Sequence, residues 1–298
     1  MRYLITGFNG QLGLDVAREL EFRGETDYLA LTRKDMDISN SAEVTNIMMK
    51  YRPDVVIHCA AYTKVDMAED DRENAIKGNV IGTKNIAELC ERLDSKLIYV
   101  STDYVFDGNL PLGETYDVTS KTNPQSVYGK TKLEGEKEAL RAGKCFVVRT
   151  SWVFGLGGNG NFIKTMLKLS DKYDEINVVS DQYGSPTYTT DLAKLLVDMS
   201  KTSKYGIYHA SNEGFTSWAK FAEEIFNTFD KNVKVNHITT EEYPTKARRP
   251  KNSCMSKDCL PKNGFDRLPD WKDALQRYKK ELDDFNYSKK LVNNQRNS

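Results

Sequence analysis

The stretch YLITGFNGQLG, residues 3–13, decides the fold. A short apolar strand ends in Gly7, and Gly10 and Gly13 follow before a helical pattern begins. The first glycine permits a tight turn, the second lets backbone approach a pyrophosphate at the helix N-terminus, and the third allows close helix packing. The spacing is G-x-x-G-x-x-G, not the commoner G-x-G-x-x-G. Because the turn heads a strand–helix series, it predicts a dinucleotide-binding site.

Apolar runs and helical patterns alternate through the first half of the chain. The predicted strands are residues 2–6, 28–32, 54–61, 96–102 and 145–151, and the predicted helices are 11–24, 41–51, 72–93 and 127–142. Strands that are apolar at successive positions are buried on both faces, with helices on each side. The pattern therefore predicts an α/β fold, a Rossmann-type doubly wound parallel sheet with a smaller C-terminal substrate-binding lobe.

Three regions follow from this pattern. Residues 1–152 are expected to form the dinucleotide-binding domain, to which some later segments return. Residues 153–285 are expected to form mainly the substrate-binding lobe, with helices near 161–172, 190–201 and 216–229. The tail 286–298 is polar and is expected to be disordered.

Composition limits the partners. The 298 residues carry 43 basic and 43 acidic side chains, so no net charge attracts nucleic acid or an anionic membrane. No apolar run reaches the roughly 18 residues of a membrane helix, and a strand starting at Arg2 leaves no room for a signal peptide. The five cysteines lack zinc-site spacing. We expect a cytoplasmic protein without structural metal.

The end of the second strand bears on the choice of cofactor. An acid there would bind the ribose 2′-hydroxyl of NAD, but the chain has Thr32, Arg33 and Lys34. Two cations suit a 2′-phosphate, so NADPH is the preferred cofactor and NADH the alternative. Solvated loop charges are the competing interpretation. Asp37 and Ile38 follow and are expected to flank the adenine.

The sequence YGKTK places Tyr128 and Lys132 on one helix face, because residues four apart are neighbours on a helix. Alone, such a pair is also typical of a solvated helix. Thr102, however, ends the fourth strand, at the carboxyl edge where such sheets bind ligands. Together the three predict reduction of a ketone by hydride, with Tyr128 as proton donor and Thr102 as hydrogen-bond donor to the oxyanion.

A tyrosine is a poor acid at neutral pH because its ordinary pKa is about 10. A nearby cation lowers that pKa. A decrease of about three pH units corresponds to roughly 4 kcal/mol of differential stabilisation. Lys132 and the positive ring of the oxidised nicotinamide are the expected cations.

The motifs together resemble the extended short-chain dehydrogenase/reductases, and within them the dTDP-4-dehydrorhamnose reductase family. The resemblance runs to about Trp271 and is carried by HCAAYTKVDMAE, YVSTDYVFDG, PQSVYGKTKLEGE, VRTSWVFG, NFIKTMLKL, SDQYGSPTYTTDLA, GIYHASN and ARRPKNS. It implies reduction of the 4-keto group of dTDP-4-dehydro-L-rhamnose by NAD(P)H, the last step of dTDP-L-rhamnose synthesis. The implied partner is a dTDP-linked deoxy-sugar.

The resemblance also implies a set of site residues. The catalytic ones are Thr102, Tyr128 and Lys132, and the last two also contact the cofactor. Cofactor contacts are implied at the pyrophosphate loop and beside the third strand, namely Gly10, Gln11, Leu12, Ala60, Ala61 and Tyr62. Substrate contacts are implied at Val65, Asp103, Tyr104, Trp152, Arg248, Arg249 and Asn252. The competing interpretations are a core aromatic for Trp152, a turn cap for Asp103 and solvated charges for the arginines.

Some family members dimerise around a metal ion held by carboxylates. Asp15 is one candidate ligand here, but Thr190 stands where a second acid is expected. We therefore predict no bound metal and either a monomer or a homodimer. His58, His209 and His237 show no triad or metal spacing. The alternatives to a reductase are a catalytically silent regulatory protein that binds sugar nucleotide or NADP, and a reductase or epimerase of another nucleotide-linked hexose.

Overall fold

The computed structural model describes the backbone of residues 1–296, with side chains through Asn286. Its strands, in chain order, are β1 Tyr3–Thr6, β2 Tyr28–Leu31, β3 Val55–His58, β4 Lys96–Thr102, β5 Cys145–Thr150, β6 Val153–Phe154, β7 Glu175–Val179, β8 Tyr183–Gly184, β9 Thr187–Tyr188, β10 Gly206–His209, β11 Asn212–Glu213, β12 Thr216–Ser217, β13 Lys234–Ile238 and β14 Leu268–Asp270.

The helices of the described chain are α1 Gln11–Phe22, α2 Ser41–Tyr51, α3 Val65–Asp70, α4 Arg72–Ile76, α5 Gly82–Leu93, α6 Val127–Leu140, α7 Phe162–Ser170, α8 Thr189–Ser200, α9 Trp218–Thr228, α10 Cys259–Lys262 and α11 Trp271–Arg296. A π-helical turn, Lys77–Ile81, joins α4 to α5, and a 3₁₀ turn, Asp103–Val105, follows β4.

The central sheet has six parallel strands in the order β10-β5-β4-β3-β1-β2. Each face has its own apolar core. One core joins α1 and α8 to the sheet through side chains such as Ile5, and the other joins α2, α5 and α6 through their neighbours such as Leu4. Consecutive strand residues point to opposite faces, which is why both must be apolar. The prediction of a doubly wound parallel sheet is confirmed.

A third core lies beyond β5 and is rich in aromatic rings. It packs α7, α9 and α11 together through Phe154, Phe221, Trp271 and Tyr278. The strand β10 returns to the central sheet beside β5. The exact division at 152 and 153 stays a prediction. Most of the tail 286–298 lies outside the residues whose side chains are described; its described backbone is helical to Arg296.

The helix expected over 72–93 is present with those bounds, but a π-helical turn interrupts it. The structure has α4, a π-helical turn and α5 in succession, and it adds α3 just before them. A π turn inserts one residue into the helical repeat, and its position depends on contacts that an apolar pattern does not encode. The turn carries the buried Asn79. None of the described helices is both long and apolar enough to cross a lipid bilayer.

Candidate active site

The glycine turn has the geometry expected of a pyrophosphate loop. Gly7 has a φ of +71°, and a side chain there would collide with the backbone of Ala60. A side chain on Gly13 would collide with the carbonyl of Gly7, so this glycine allows α1 to start close to β1. Gly10 precedes α1 and provides no side-chain cap. The first N–H groups of the helix are therefore available to an anion.

A second segment, residues 155–161, lies on this turn. Gly157 and Gly158 pack against Gly10 and Gln11. The Asn161 side-chain amide donates to the Gln11 side-chain carbonyl at 2.8 Å. Leu12 points into the core of the central sheet. The sequence did not indicate that residues 155–161 cover the turn, because 150 residues separate Asn161 from Gln11.

The end of β2 leaves a cation free. The Arg33 side chain is 81% exposed and reaches Asp37 only at 3.4 Å. The neighbouring Asp35 accepts hydrogen bonds from the Thr32 hydroxyl at 2.6 Å and from the Thr32 N–H at 2.8 Å, and these bonds lower the pKa of Asp35. Ile38 is buried in the core, so its expected contact with adenine stays a prediction.

The segment after β3 forms a second wall. The N–H of Ala60 donates to the Thr6 hydroxyl at 3.2 Å. The backbone of Tyr62 is bound on both sides by Asn79, whose side chain accepts from the Tyr62 N–H at 2.8 Å and donates to its carbonyl at 3.2 Å. Asn79 also donates to the Thr131 hydroxyl at 3.0 Å. Ala60, Ala61 and Tyr62 are therefore held at a set distance from α6.

Two side chains fix the start of α6. The Ser126 hydroxyl accepts from the Gly129 N–H at 3.1 Å, and the Glu69 carboxylate accepts from the Val127 N–H at 2.8 Å. The Tyr128 ring is half-buried and meets the edge of the Tyr104 ring at 5.5 Å. Burial raises the pKa of Tyr128 above its ordinary value, although a hydrogen bond with Thr102 lowers it. At neutral pH the phenol holds its proton.

Lys132 lies one turn further along α6 and is buried. Its ammonium donates to the Val100 carbonyl at 2.7 Å and sits 4.1 Å from the centre of the Tyr99 ring. Burial lowers the pKa of Lys132 to about 7, against the opposing effect of Glu136 and Cys59. The expected lowering of the Tyr128 pKa by Lys132 together with the oxidised nicotinamide stays a prediction.

Asp103 and Tyr104 follow Thr102 at the edge of the sheet. Asp103 is only 2% exposed, and its Oδ2 has no hydrogen-bond partner. Burial raises its pKa to about 6, with hydrogen bonds from Ser253 and Thr102 opposing. The Tyr104 hydroxyl accepts from Arg249 at 3.1 Å. Tyr104 also packs against Tyr128, and the expected contacts of Asp103 and Tyr104 with substrate stay a prediction.

A cationic cavity adjoins this edge. It measures about 340 Å³ and is lined by the cations Arg248, Arg249 and Lys251, by the carboxylates of Asp107 and Glu241, and by residues 109, 240, 244, 245 and 247. The Arg249 guanidinium donates to the Asp66 carboxylate at 2.5 Å. Arg248 is exposed and makes only long contacts of 3.4 Å to Gln125 and Asn109. The cavity suits a diphosphate.

Asn252 does not face this cavity with a free amide. It is buried, and its amide nitrogen donates to the carbonyls of Leu110, Pro111 and Glu114 at 2.9–3.3 Å. Its side-chain oxygen accepts from the Cys254 N–H at 2.9 Å. The expected substrate contact is wrong for this side chain, because both polar atoms of the amide are already hydrogen-bonded to backbone groups. Asn252 instead shapes the loop beside the cavity.

Trp152 and Val65 occupy the remaining expected substrate positions. Trp152 has a φ of +48° and stacks on Trp218, with ring centres 3.5 Å apart. This stack supports the interpretation of Trp152 as an aromatic residue that packs at the end of β5. Val65 begins α3 and is half-buried.

Asp15 does not stand in a cluster of metal ligands. It is buried, accepts hydrogen bonds from the hydroxyl of Thr189 and from Arg18, and lies 3.4 Å from the Thr190 hydroxyl. Within the described residues no group of three or more His, Cys, Asp or Glu side chains could hold a metal ion. The prediction of no metal stays a prediction.

Known proteins share this arrangement. A family model described as "RmlD substrate binding domain" matches residues 1–284. The chain belongs to this family. Among its RmlD-type relatives, dTDP-4-dehydrorhamnose reductase from Aggregatibacter actinomycetemcomitans is 42% identical over 92% of this chain and 97% of its own. Spore coat polysaccharide biosynthesis protein SpsK from Bacillus subtilis is 39% identical over 94% and 97%.

A solved RmlD-type structure shows the same fold. It is dTDP-4-dehydrorhamnose reductase from Bacillus anthracis in complex with NADP, 43% identical to this chain. The match covers 94% of this chain and 99% of that one, with a TM-score of 0.90. The family resemblance inferred from the motifs is confirmed.

Three residues at the site were missed in the sequence. Asn79 hydrogen-bonds both the segment after β3 and helix α6. Asp66 pairs with Arg249, and Glu136 lies one helical turn from Lys132. Only Glu136 left a readable signal, since it stands four residues after Lys132 on the same helix face. Asn79 and Asp66 act over contacts that no local pattern encodes.

Proposed function

We propose that this chain reduces the 4-keto group of dTDP-4-dehydro-L-rhamnose with NADPH to form dTDP-L-rhamnose. What supports the proposal is that Tyr128 contacts Thr102 and that Lys132 donates to the Val100 carbonyl, both at the carboxyl end of β4, while the glycine turn packs against Ala60 after the neighbouring strand β3. The relatives named as dTDP-4-dehydrorhamnose reductases support it. Action in the cytoplasm, as a monomer or a homodimer, is part of the same proposal.

The residues present fit a nicotinamide dinucleotide. The uncapped start of α1 offers N–H groups and a partial positive charge to the pyrophosphate. The exposed Arg33 offers a guanidinium to a 2′-phosphate, which favours NADPH over NADH. Ala60, Ala61 and Tyr62 would line the cofactor on the β3 side. The NADP complex of the Bacillus anthracis relative supports this choice.

A bound NADPH supplies the hydride. The work of this chain is to place the ketone and to provide a proton. Because burial keeps Tyr128 protonated at neutral pH, its hydroxyl can donate a proton to the developing alkoxide. The Thr102 hydroxyl, which here donates to Asp103 Oδ1 at 2.9 Å, can turn to the same substrate oxygen and stabilise it by a hydrogen bond. The pKa of Lys132 is about 7, and its protonated form places positive charge at the end of β4, where negative charge develops.

The cationic cavity holds the nucleotide end of the substrate in this proposal. Arg248 and Arg249 bind the diphosphate, because a planar guanidinium matches phosphate oxygens in pairs. Asp103 accepts a hydroxyl of the sugar once substrate binding uncovers its buried, unpartnered oxygen. Tyr104 links the two ends, since it contacts both Arg249 and the Tyr128 ring.

Turnover tests the proposal. Purified protein is given dTDP-4-dehydro-L-rhamnose and NADPH, and loss of absorbance at the reduced nicotinamide band is followed together with product identity. Folded protein that oxidises no NADPH with this substrate contradicts the reductase and favours the silent sugar-nucleotide-binding protein.

Tyr128→Phe tests the proton donor. Removing the hydroxyl should lower kcat by about 10²–10⁴-fold, the range typical of a lost general acid. NADPH affinity, measured by quenching of protein fluorescence, should change less than threefold. Tyr173→Phe is the matched control, because Tyr173 is 56% exposed and distant from the site. A Tyr128→Phe protein with near-normal kcat would show that another group is the acid.

A further inference from the structure

A buried ion pair stands directly behind Lys132. Glu136 and Arg149 are 2% and 3% exposed. The Arg149 guanidinium donates to both oxygens of the Glu136 carboxylate, at 2.9 and 2.8 Å. The Ser101 hydroxyl donates to the same carboxylate at 2.5 Å. Glu136 is thus bound from β4, through the residue before Thr102, and from β5 at the same time.

The pair continues to the substrate side through His209. Arg149 approaches His209 Nε2 at 3.4 Å, and His209 Nδ1 lies 3.2 Å from the Ser256 carbonyl. Because a carbonyl only accepts, His209 carries its proton on Nδ1 and accepts from Arg149 at Nε2. Burial and the Arg149 charge lower the pKa of His209 to about 3, so the ring is neutral. Ser256 follows the segment of Asn252 and Ser253 beside the cavity.

The surroundings of Lys132 explain why Glu136 matters. From the neighbouring strands His58, Cys59 and Tyr99 face Lys132, and none of them carries a negative charge at neutral pH. On its own helix Tyr128 is protonated as well. Glu136 is therefore the carboxylate that faces the Lys132 ammonium. It lies one helical turn away, and its position is set by Arg149 and Ser101.

We propose that Glu136 is a positioning residue for Lys132, and that Arg149, Ser101 and His209 hold it in place. The carboxylate favours the charged form of Lys132 inside a low-polarity site and fixes the Lys132 turn of α6 against the end of β4. Through His209 the same chain of contacts reaches the Ser256 carbonyl. The kinetic part of this inference rests on the proposed reductase; the charge state of Lys132 does not.

Glu136→Gln tests the inference directly. The amide keeps the size and the contact with Ser101 but removes the charge. Lysine titration is followed by NMR on the full chain labelled with ¹³C-lysine, and Lys132→Met identifies the signal. The midpoint of Lys132 should move about one pH unit lower, because loss of a neighbouring opposite charge destabilises the ammonium. The falling limb of kcat with rising pH should move by the same amount.

Glu134→Gln is the matched control, because it is the same substitution on the exposed face of the same helix. It should leave both midpoints in place. If the Lys132 midpoint is the same in Glu136→Gln as in Glu134→Gln, the inference is overturned. The two proposals can also fail separately. If the wild-type protein shows no turnover while the Lys132 midpoint is displaced in Glu136→Gln, the reductase is contradicted and the inference is upheld.

The single variant leaves Arg149 unpaired in the interior and can lose its fold. Glu136→Gln/Arg149→Met removes both charges and keeps a folded chain testable. If Glu136 acted only by holding the helix in place, without an electrostatic effect, Lys132 in this double variant would titrate at the wild-type midpoint. That result would overturn the inference. We expect the Lys132 midpoint of the double variant to lie below the wild-type midpoint. Glu136 is one helical turn from Lys132, whereas Arg149 lies on the far side of Glu136, so loss of the carboxylate has the larger effect on Lys132.

Discussion

Burial shifts the pKa values of Tyr128 and Lys132 in opposite directions, and in each case it favours the neutral form of the side chain. It raises the pKa of the phenol and lowers that of the ammonium to about 7. The sequence showed that the two share a helix face, but it suggested a direct effect of one on the other. The structure instead aims Lys132 at the Val100 carbonyl. Local spacing predicts proximity, whereas side-chain direction depends on what packs around it.

Arg33→Ala tests the cofactor preference. The change should raise the KM for NADPH about tenfold or more, because a charge-assisted contact to the 2′-phosphate is lost. The KM for NADH should change less than twofold, since NADH lacks that phosphate. Steady-state kinetics with each cofactor provides the measurement. Arg92→Ala, an exposed arginine at the end of α5, is the control. Equal losses with both cofactors would rule out a 2′-phosphate contact.

Asp103→Asn should increase stability at the expense of activity. The folded pKa of Asp103 is raised to about 6 from an ordinary 3.8, so the folded chain holds a proton that the unfolded chain has released. Stability is therefore lost as pH rises from about 4 to 6, and roughly 3 kcal/mol is missing at pH 8. Asparagine removes this cost. Urea unfolding should show a gain that is roughly 1 kcal/mol larger at pH 8 than at pH 5.

Asp117→Asn is the control of opposite sign. Hydrogen bonds from Thr119 lower the pKa of Asp117, so its contribution is present above the ordinary pKa and is lost as pH falls. Its substitution should produce no gain at pH 8. If Asp103→Asn shows the same gain at both pH values, titration of this carboxyl is not the cause.

Helix α6 brings the site together because it lies unusually close to β4 and to the π turn. A methyl group at Gly135 would overlap the Tyr99 hydroxyl and the Asn79 carbonyl. The start of the helix at Val127 agrees with the range predicted from the sequence. The π turn could not be predicted, because it depends on the contacts of Asn79 with Tyr62 and Thr131. Elements with strong periodicity were predictable, and their irregular joints were not.

Gly135→Ala tests this close approach. Overpacking should lower the free energy of unfolding by about 1–3 kcal/mol, measured in urea. It should also reduce kcat, because Tyr128 and Lys132 belong to the helix that would be displaced. Gly160→Ala is the control, since nothing lies near that position, and it should change stability by less than about 0.5 kcal/mol. A Gly135→Ala protein with unchanged stability would show that α6 has room to move.

The whole molecule forms its substrate side from segments far apart in the chain. The cationic cavity combines the loop after β4 with residues 240–251, and Asp66 of α3 holds Arg249 across 183 residues. The return of β10 to the central sheet brings His209 beside Arg149. These connections unite the two lobes around one site.

Nucleotide binding tests this assembled cavity. In the proposed reductase, dTDP alone should raise the melting temperature of the protein, since a ligand that binds only the folded state stabilises it. Arg249→Gln should abolish most of that increase. Lys246→Gln is the control, because Lys246 pairs with Asp70 on the surface and does not line the cavity. An unchanged response in Arg249→Gln would exclude Arg249 from diphosphate binding.

The sequence by itself determined the sheet, the glycine turn and the helix that carries Tyr128 and Lys132, because apolar period and glycine spacing are local properties. Tertiary structure alone decided the use of Asn252, the covering of the glycine turn by residues 155–161, and the buried contacts of Glu136. Those outcomes depend on which groups meet across the fold. Burial and the charges met there then set each pKa, and no run of residues contains that information.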